Sequence, residues 1–101
     1  MRCAVRINIP NGAGNEAIRS GKMADTLGAF VQKWRPEAAY FYAHAGKRGA
    51  TFFLNLDDAS QLPSLSEPFF MGLDAELEIT PAMNMDDLKK GLAALERDGK
   101  H

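Results

Sequence analysis

A single cysteine, Cys3, in 101 residues excludes an internal disulfide framework and leaves too few thiolates for a metal-thiolate site. Histidine is equally scarce: there are two, and one is the terminal His101. A metal site is therefore not expected, and no other cofactor is expected either. No sign of charge dominates, with 12 Lys and Arg against 13 Asp and Glu. Proteins that bind nucleic acid gather a basic excess on one face, so nucleic acid is not an expected partner. No apolar run approaches the ~18 residues of a membrane span, and the N-terminus lacks the hydrophobic segment of a signal peptide. A membrane partner is not expected either, and the default location is the cytoplasm. The length suits a single domain over 1–101, with a core over 1–83 and a further helix over 84–98.

What the chain does contain is strongly patterned. Arg2 to Ile9 alternates, with Cys3, Val5, Ile7 and Ile9 on one side and Arg2, Ala4, Arg6 and Asn8 on the other. Period two marks a strand with unlike faces, and Pro10-Asn11-Gly12 reads as the turn that ends it. A long helix is expected next, capped by Asn15, with Met23, Ala24, Leu27, Phe30, Val31 and Trp34 on its apolar stripe. Ile18 falls off that stripe. Pro36 disfavours a helical Arg35 and stops the helix.

Glu37 to Ala45 reads as a second strand, with Tyr40, Tyr42 and His44 on one face. Gly46 to Gly49 reads as a four-residue hairpin connection, and Ala50 to Leu56 as a third strand. Asp57 or Asp58 caps a short helix to about Ser66, limited by Pro63. An apolar elbow, Glu67 to Gly72, leads to a fourth strand, Ala75 to Thr80. Asn84 then caps a last helix with a Met85, Leu88, Leu92, Leu95 seam and Gly99 as its stop. The order is β-α-β-β-α-β plus one helix, an α+β ferredoxin-like unit with an antiparallel sheet.

Three stretches carry a resemblance. Val5-Arg6-Ile7-Asn8-Ile9-Pro10 resembles the opening strand and closing proline of muconolactone isomerase and its relatives. Leu65 through Phe69-Phe70-Met71 to Glu78-Ile79-Thr80-Pro81 is similar to that group's Leu-Pro-Leu-Phe-Pro-Tyr-Met elbow and Glu-Val-Thr-Pro strand. Gly49 through Asp57-Asp58 resembles a glycine-strand-acidic-pair pattern of small proteins with this fold. The long first helix and the incomplete set of elbow prolines depart from the isomerase pattern. The resemblance implies the dimeric α+β barrel superfamily, in which two ferredoxin-like sheets pair into a barrel. It implies a homodimer through the sheet face and no particular catalytic residue.

In this topology both helices cover one side of the sheet. Val5, Ile7, Phe52, Leu54, Leu77 and Ile79 belong on the covered side. Arg2, Arg6, Asn8, Tyr40, Tyr42, His44, Thr51, Phe53, Asn55, Glu76 and Glu78 share the other. That face is too aromatic to be left in water and too polar for a plain core, so a twin sheet enclosing a small-molecule cavity is the expected cover. Arg2 and Arg6 should neighbour Glu76 and Glu78 across the first and fourth strands.

Candidate catalytic residues are Glu78 and His44, either of which can take a proton next to a carbonyl. Candidate ligand-binding residues are Arg6, Tyr40, Tyr42, Phe53, Asn55 and Glu76. Each has a plainer reading beside it: Arg6 as the neutraliser of Glu76 or Glu78, His44 as a hydrogen-bonded dimer contact, the tyrosines as interface aromatics. Two functions follow. One is a cofactor-independent, isomerase-like enzyme acting on a small acidic or aromatic compound. The other is a non-catalytic dimeric module that binds a small molecule or only itself.

Overall fold

The structure, a computed structural model, describes residues 1–99, so His101 lies outside the described residues. The chain runs β1 (Arg2–Ile9), α1 (Asn11–Ser20), α2 (Lys22–Trp34), β2 (Ala38–His44), β3 (Lys47–Asn55), a 3-10 turn (Ala59–Gln61), α3 (Leu62–Leu73), β4 (Glu76–Pro81) and α4 (Met85–Asp98). The strands form one sheet in the order β2-β3-β1-β4, with each neighbouring pair antiparallel. This α+β arrangement is consistent with a ferredoxin-like unit followed by an extra helix.

Strand β1 is central, and its alternation is carried into space. Cys3, Val5, Ile7 and Ile9 are buried under the helices, joined from β3 by Ala50, Phe52 and Leu54. Leu77 and Ile79 of β4 are half-buried at the margin of the same core. The core centres on three rings. Phe30 of α2 lies with its centroid 4.7 Å from Phe52 and 4.8 Å from Phe69 of α3, so one aromatic cluster ties both covering helices to the sheet. Full burial of side chains this size contributes about 1.5–3 kcal/mol each.

The first helical stretch differs from the expected single helix. Helix α1 starts directly after Pro10, and Gly21, at φ 81°, closes it and opens α2. A side chain there would meet the left-handed penalty that glycine avoids. The break resets the helical phase, which is why Ile18 fell off the stripe; it is exposed. Asn15 lies inside α1 rather than at its cap, and its Oδ1 accepts from Arg48 Nη1 at 3.1 Å. Pro36 acts as expected: Arg35 takes a left-handed conformation, φ 46°, and its N–H closes α2 on the Val31 carbonyl.

Two more boundaries move. The hairpin between β2 and β3 is a two-residue turn, because Ala45 and Gly46 both take positive φ (53° and 77°) and His44 pairs with Lys47. Positive φ at both central residues matches the twist of antiparallel strands. The apolar elbow is helical. Helix α3 runs through Pro68, whose missing N–H leaves the Ser64 carbonyl without its helical donor, and both residues are exposed, so water can serve that carbonyl. Leu65, Phe69 and Leu73 face the sheet while Phe70 and Met71 point out. Asp58, not Asp57, makes the cap, in a capping box with Gln61.

Helix α4 forms as expected, with Asn84 and Asp87 in a capping box and Gly99, at φ 56°, as the stop. It is the outlier of the architecture. No residue in it is buried, and it makes no sustained contact with any other element among the described residues. The chain therefore extends 57 × 28 × 19 Å with a radius of gyration of 16.5 Å, against ~13 Å for a compact chain of this length. No helix among the described residues is long and apolar enough to cross a membrane.

Candidate site on the open sheet face

The antiparallel registers place the polar side chains of the uncovered face in rows. Tyr40 of β2 stands opposite Thr51 of β3, which stands opposite Arg6 of β1, which stands opposite Glu78 of β4. The row on one side runs Ala38, Phe53, Ala4, Thr80; the row on the other runs Tyr42, Gly49, Asn8, Glu76. Alternation within each strand guarantees that all twelve residues share one face.

Arg6 is the centre of this face. Two adjoining hollows meet at it: one of about 350 Å³ lined by Arg6, Tyr42, His44 and Thr51, the other of about 200 Å³ lined by Ala4, Arg6, Thr51, Phe53, Glu78 and Thr80. Glycine at position 49 permits the first, since a Cβ there would come within 2.9 Å of the Tyr42 ring. The Tyr42 hydroxyl lies 2.5 Å from Thr51 Oγ1, so either oxygen donates to the other. Arg6 and Glu78 are cross-strand neighbours, as expected, yet form no ion pair. The Arg6 guanidinium is left exposed, and its planar fork of donors has no partner among the described residues.

Of the candidates, the structure thus brings Arg6, Tyr42, His44, Phe53 and Glu78 around the two hollows and leaves three outside. Tyr40 points from the same row but is 63% exposed and lines neither hollow. Glu76 sits at the end of the sheet opposite Asn8. Asn55 sits at the opposite end, where Oδ1 accepts from the Met1 ammonium at 2.9 Å and Nδ2 donates to Asp57. Ala4, Thr51 and Thr80 complete the lining and were not among the candidates. Thr51 was findable, because its place in the alternation of β3 puts it between Tyr40 and Arg6.

Arg2 departs from expectation. It does not neighbour Glu76 or Glu78; Nε donates to Glu37, just ahead of β2, and Nη1 to Asp87 in the first turn of α4 at 2.7 Å. The Glu37 hydrogen bond, with the charges of Glu37 and Asp87, raises the Arg2 pKa above its ordinary value. This triad pins the base of α4 to the open-face side of the sheet.

Chemically, the face offers a free guanidinium for a carboxylate, a coupled pair of hydroxyls, and a proton acceptor on either side: His44 in one hollow and Glu78 in the other. Among the described residues no group of three or more His, Cys, Asp or Glu is placed to hold a metal ion. No protein-family model matches the chain, and no curated protein matches it in sequence.

Proposed function

We propose that two copies of the chain pair through this face as a dimeric α+β barrel of the muconolactone isomerase-like kind, acting in the cytoplasm as a cofactor-independent isomerase on a small acidic or aromatic compound. The observation that carries the reading is the unpaired Arg6 between His44 and Glu78 on a face that also exposes Tyr40 and Tyr42. A twin sheet would take the rings out of water and lower the dielectric around Arg6, strengthening its hold on a carboxylate. With the anion fixed there, Glu78 or His44 reaches a carbon next to a carbonyl and moves its proton.

The test needs no knowledge of the product. A panel of small unsaturated and aromatic carboxylates is incubated with the protein in D₂O, and deuterium entry at carbon is followed by NMR. Arg6→Ala should weaken saturation by the active compound, and Glu78→Gln or His44→Ala should slow exchange at least tenfold, in line with a general base. The enzyme reading fails if both of the latter variants exchange at the wild-type rate.

A second reading is favoured by one observation: His44 and Glu78 occupy separate hollows rather than converging on one point. In that case the face is a non-catalytic dimeric module. Carboxylates then bind in an Arg6-dependent way, or not at all, and no deuterium enters.

A further inference from the structure

Helix α4 is a 14-residue helix that no other element covers among the described residues. Met85, Leu88, Leu92 and Leu95 repeat at intervals of three, four and three, which puts them in one narrow stripe, and all four are exposed. An isolated helix of this length is marginal in water; the capping box, Gly99 and the Arg2–Asp87 pair secure only its ends. Gly91 flanks the stripe in the helix interior with open space beside it, a weak helix former that nothing in its own chain calls for.

A fitting surface exists elsewhere on the same chain. At the end of the sheet where β1 begins and β4 finishes, the helix layer stops short. It leaves an apolar hollow of about 440 Å³ floored by Cys3, Leu56 and Ile79 and bordered by Met1, Leu62 and Pro81. Asp57 and Asp58 also line it and carry exposed carboxylates. Near the N-terminal half of the stripe on α4 the charge is opposite, with Lys89 on its flank one position after Leu88, while Glu96 follows two turns further along the same flank. Only Ala82, Met83 and Asn84 separate β4 from α4, and Asp87 is already tied to Arg2 on the opposite side of the sheet. The helix is thus held away from its own hollow.

We propose that the Met85, Leu88, Leu92, Leu95 stripe docks into this hollow on a second copy of the chain, with Lys89 facing Asp57 and Asp58, and that two copies exchange their α4 helices reciprocally. The surface is distinct from the open sheet face, and either pairing can stand without the other. A self-complementary exchange about a twofold axis buries both stripes and both hollows at once.

The experiment uses the full chain in two arms. In the first, sedimentation equilibrium across a dilution series compares wild type, Leu88→Glu/Leu92→Glu, and Tyr42→Glu, with circular dichroism as a check that each variant is folded. The double α4 variant should weaken self-association by about ten-thousandfold, since a reciprocal dimer loses four leucines at roughly tenfold each. In the second, a chain carrying Leu62→Cys is mixed with one carrying Leu92→Cys. A disulfide between the engineered thiols should form between copies, and far faster than with Lys90→Cys, which lies on the opposite side of α4. If Tyr42→Glu abolishes the dimer while the α4 variant keeps wild-type affinity, the exchange is overturned and the sheet-face pairing stands. The reverse result sinks the sheet-face pairing and supports the exchange. A chain monomeric at every concentration, or thiols that cross-link no faster than the control, also overturns it.

Discussion

The same four strands make two faces with opposite fates. On one, Val5, Ile7, Phe52 and Leu54 are closed off from water by the helix layer, and the aromatic cluster of Phe30, Phe52 and Phe69 joins α2 and α3 to the sheet. On the other, one residue along each strand, Arg6, Thr51 and Phe53 stay exposed or half-buried, with no element above them among the described residues. Alternation makes the two faces, but it does not decide which of them a single chain can cover. The covered face stabilises the fold by burial. The uncovered one keeps an exposed guanidinium and a hydrogen-bonded pair of hydroxyls, the groups a ligand needs.

The largest effect should therefore separate two neighbouring residues of β3. Phe52→Ala removes a fully buried ring from the centre of the aromatic cluster and should cost about 3–5 kcal/mol by urea denaturation. Phe53→Ala, half-buried on the other face, should cost the dissociated chain only about 1–2 kcal/mol. Its cost should grow with protein concentration as pairing covers the ring. Equal losses at high dilution would break the contrast between the faces. A concentration-independent Phe53→Ala would break the case for pairing.

The contrast also explains what the residues disclosed unaided. The faces were readable in β1 because, Arg2 apart, the side chains there meet their own sheet neighbours or the helix layer, which period two encodes directly. Asn84 and Gly99 were readable for a similar reason, since capping is settled within a few residues. The helix break at Gly21 was hidden because a lone glycine is compatible with a continuous helix, and only the misfit of Ile18 signalled the phase change. Pro68 looked like an elbow because proline usually ends a helix, and it is tolerated here because the bond it forfeits faces water. The Arg2 partners lie 35 and 85 residues away in sequence, a distance at which no local pattern speaks. At the site, Arg6 opposite Glu78 followed from topology. That Asn55 and Glu76 stand clear of the hollows depends on how far along each strand they fall, which the alternation alone does not fix; Tyr40 shares the row of Arg6 and stays exposed beside them.

A smaller effect sharpens the comparison at the hairpin that carries Tyr42 and His44. Ala45 holds φ 53° in the two-residue turn, a conformation that costs an alanine about 1 kcal/mol. Ala45→Asn gives the Asn-Gly pair such turns prefer and should raise stability by about 0.5–1 kcal/mol, measured as an increase in the urea midpoint without a change in slope. Because His44 is set by this turn, the variant should leave any His44-dependent exchange intact. A destabilised variant would mean that the turn is not of the two-residue type.

The smallest effect concerns pH and the other face, at the margin of the apolar hollow. The Asp58 carboxylate accepts from the Ser60 hydroxyl and from the Ser60 N–H at 2.9 Å, and these hydrogen bonds lower its pKa below the ordinary value. A group whose folded pKa is lowered contributes stability that is fully present above its unfolded pKa and drains away as pH falls through the folded one. The folded protein should therefore lose this contribution only below the ordinary carboxylate range. Asp58→Asn keeps a cap acceptor but cannot titrate. Urea midpoints of wild type and Asp58→Asn, followed downward in pH, should converge in that acid window and run parallel above it. Convergence starting well above the carboxylate range, or none at all, would show that the 3-10 turn is not held through Asp58. The same variant separates cap from charge. If Lys89 of a second copy faces this margin, Asp58→Asn should weaken self-association at neutral pH, where its cap is still made.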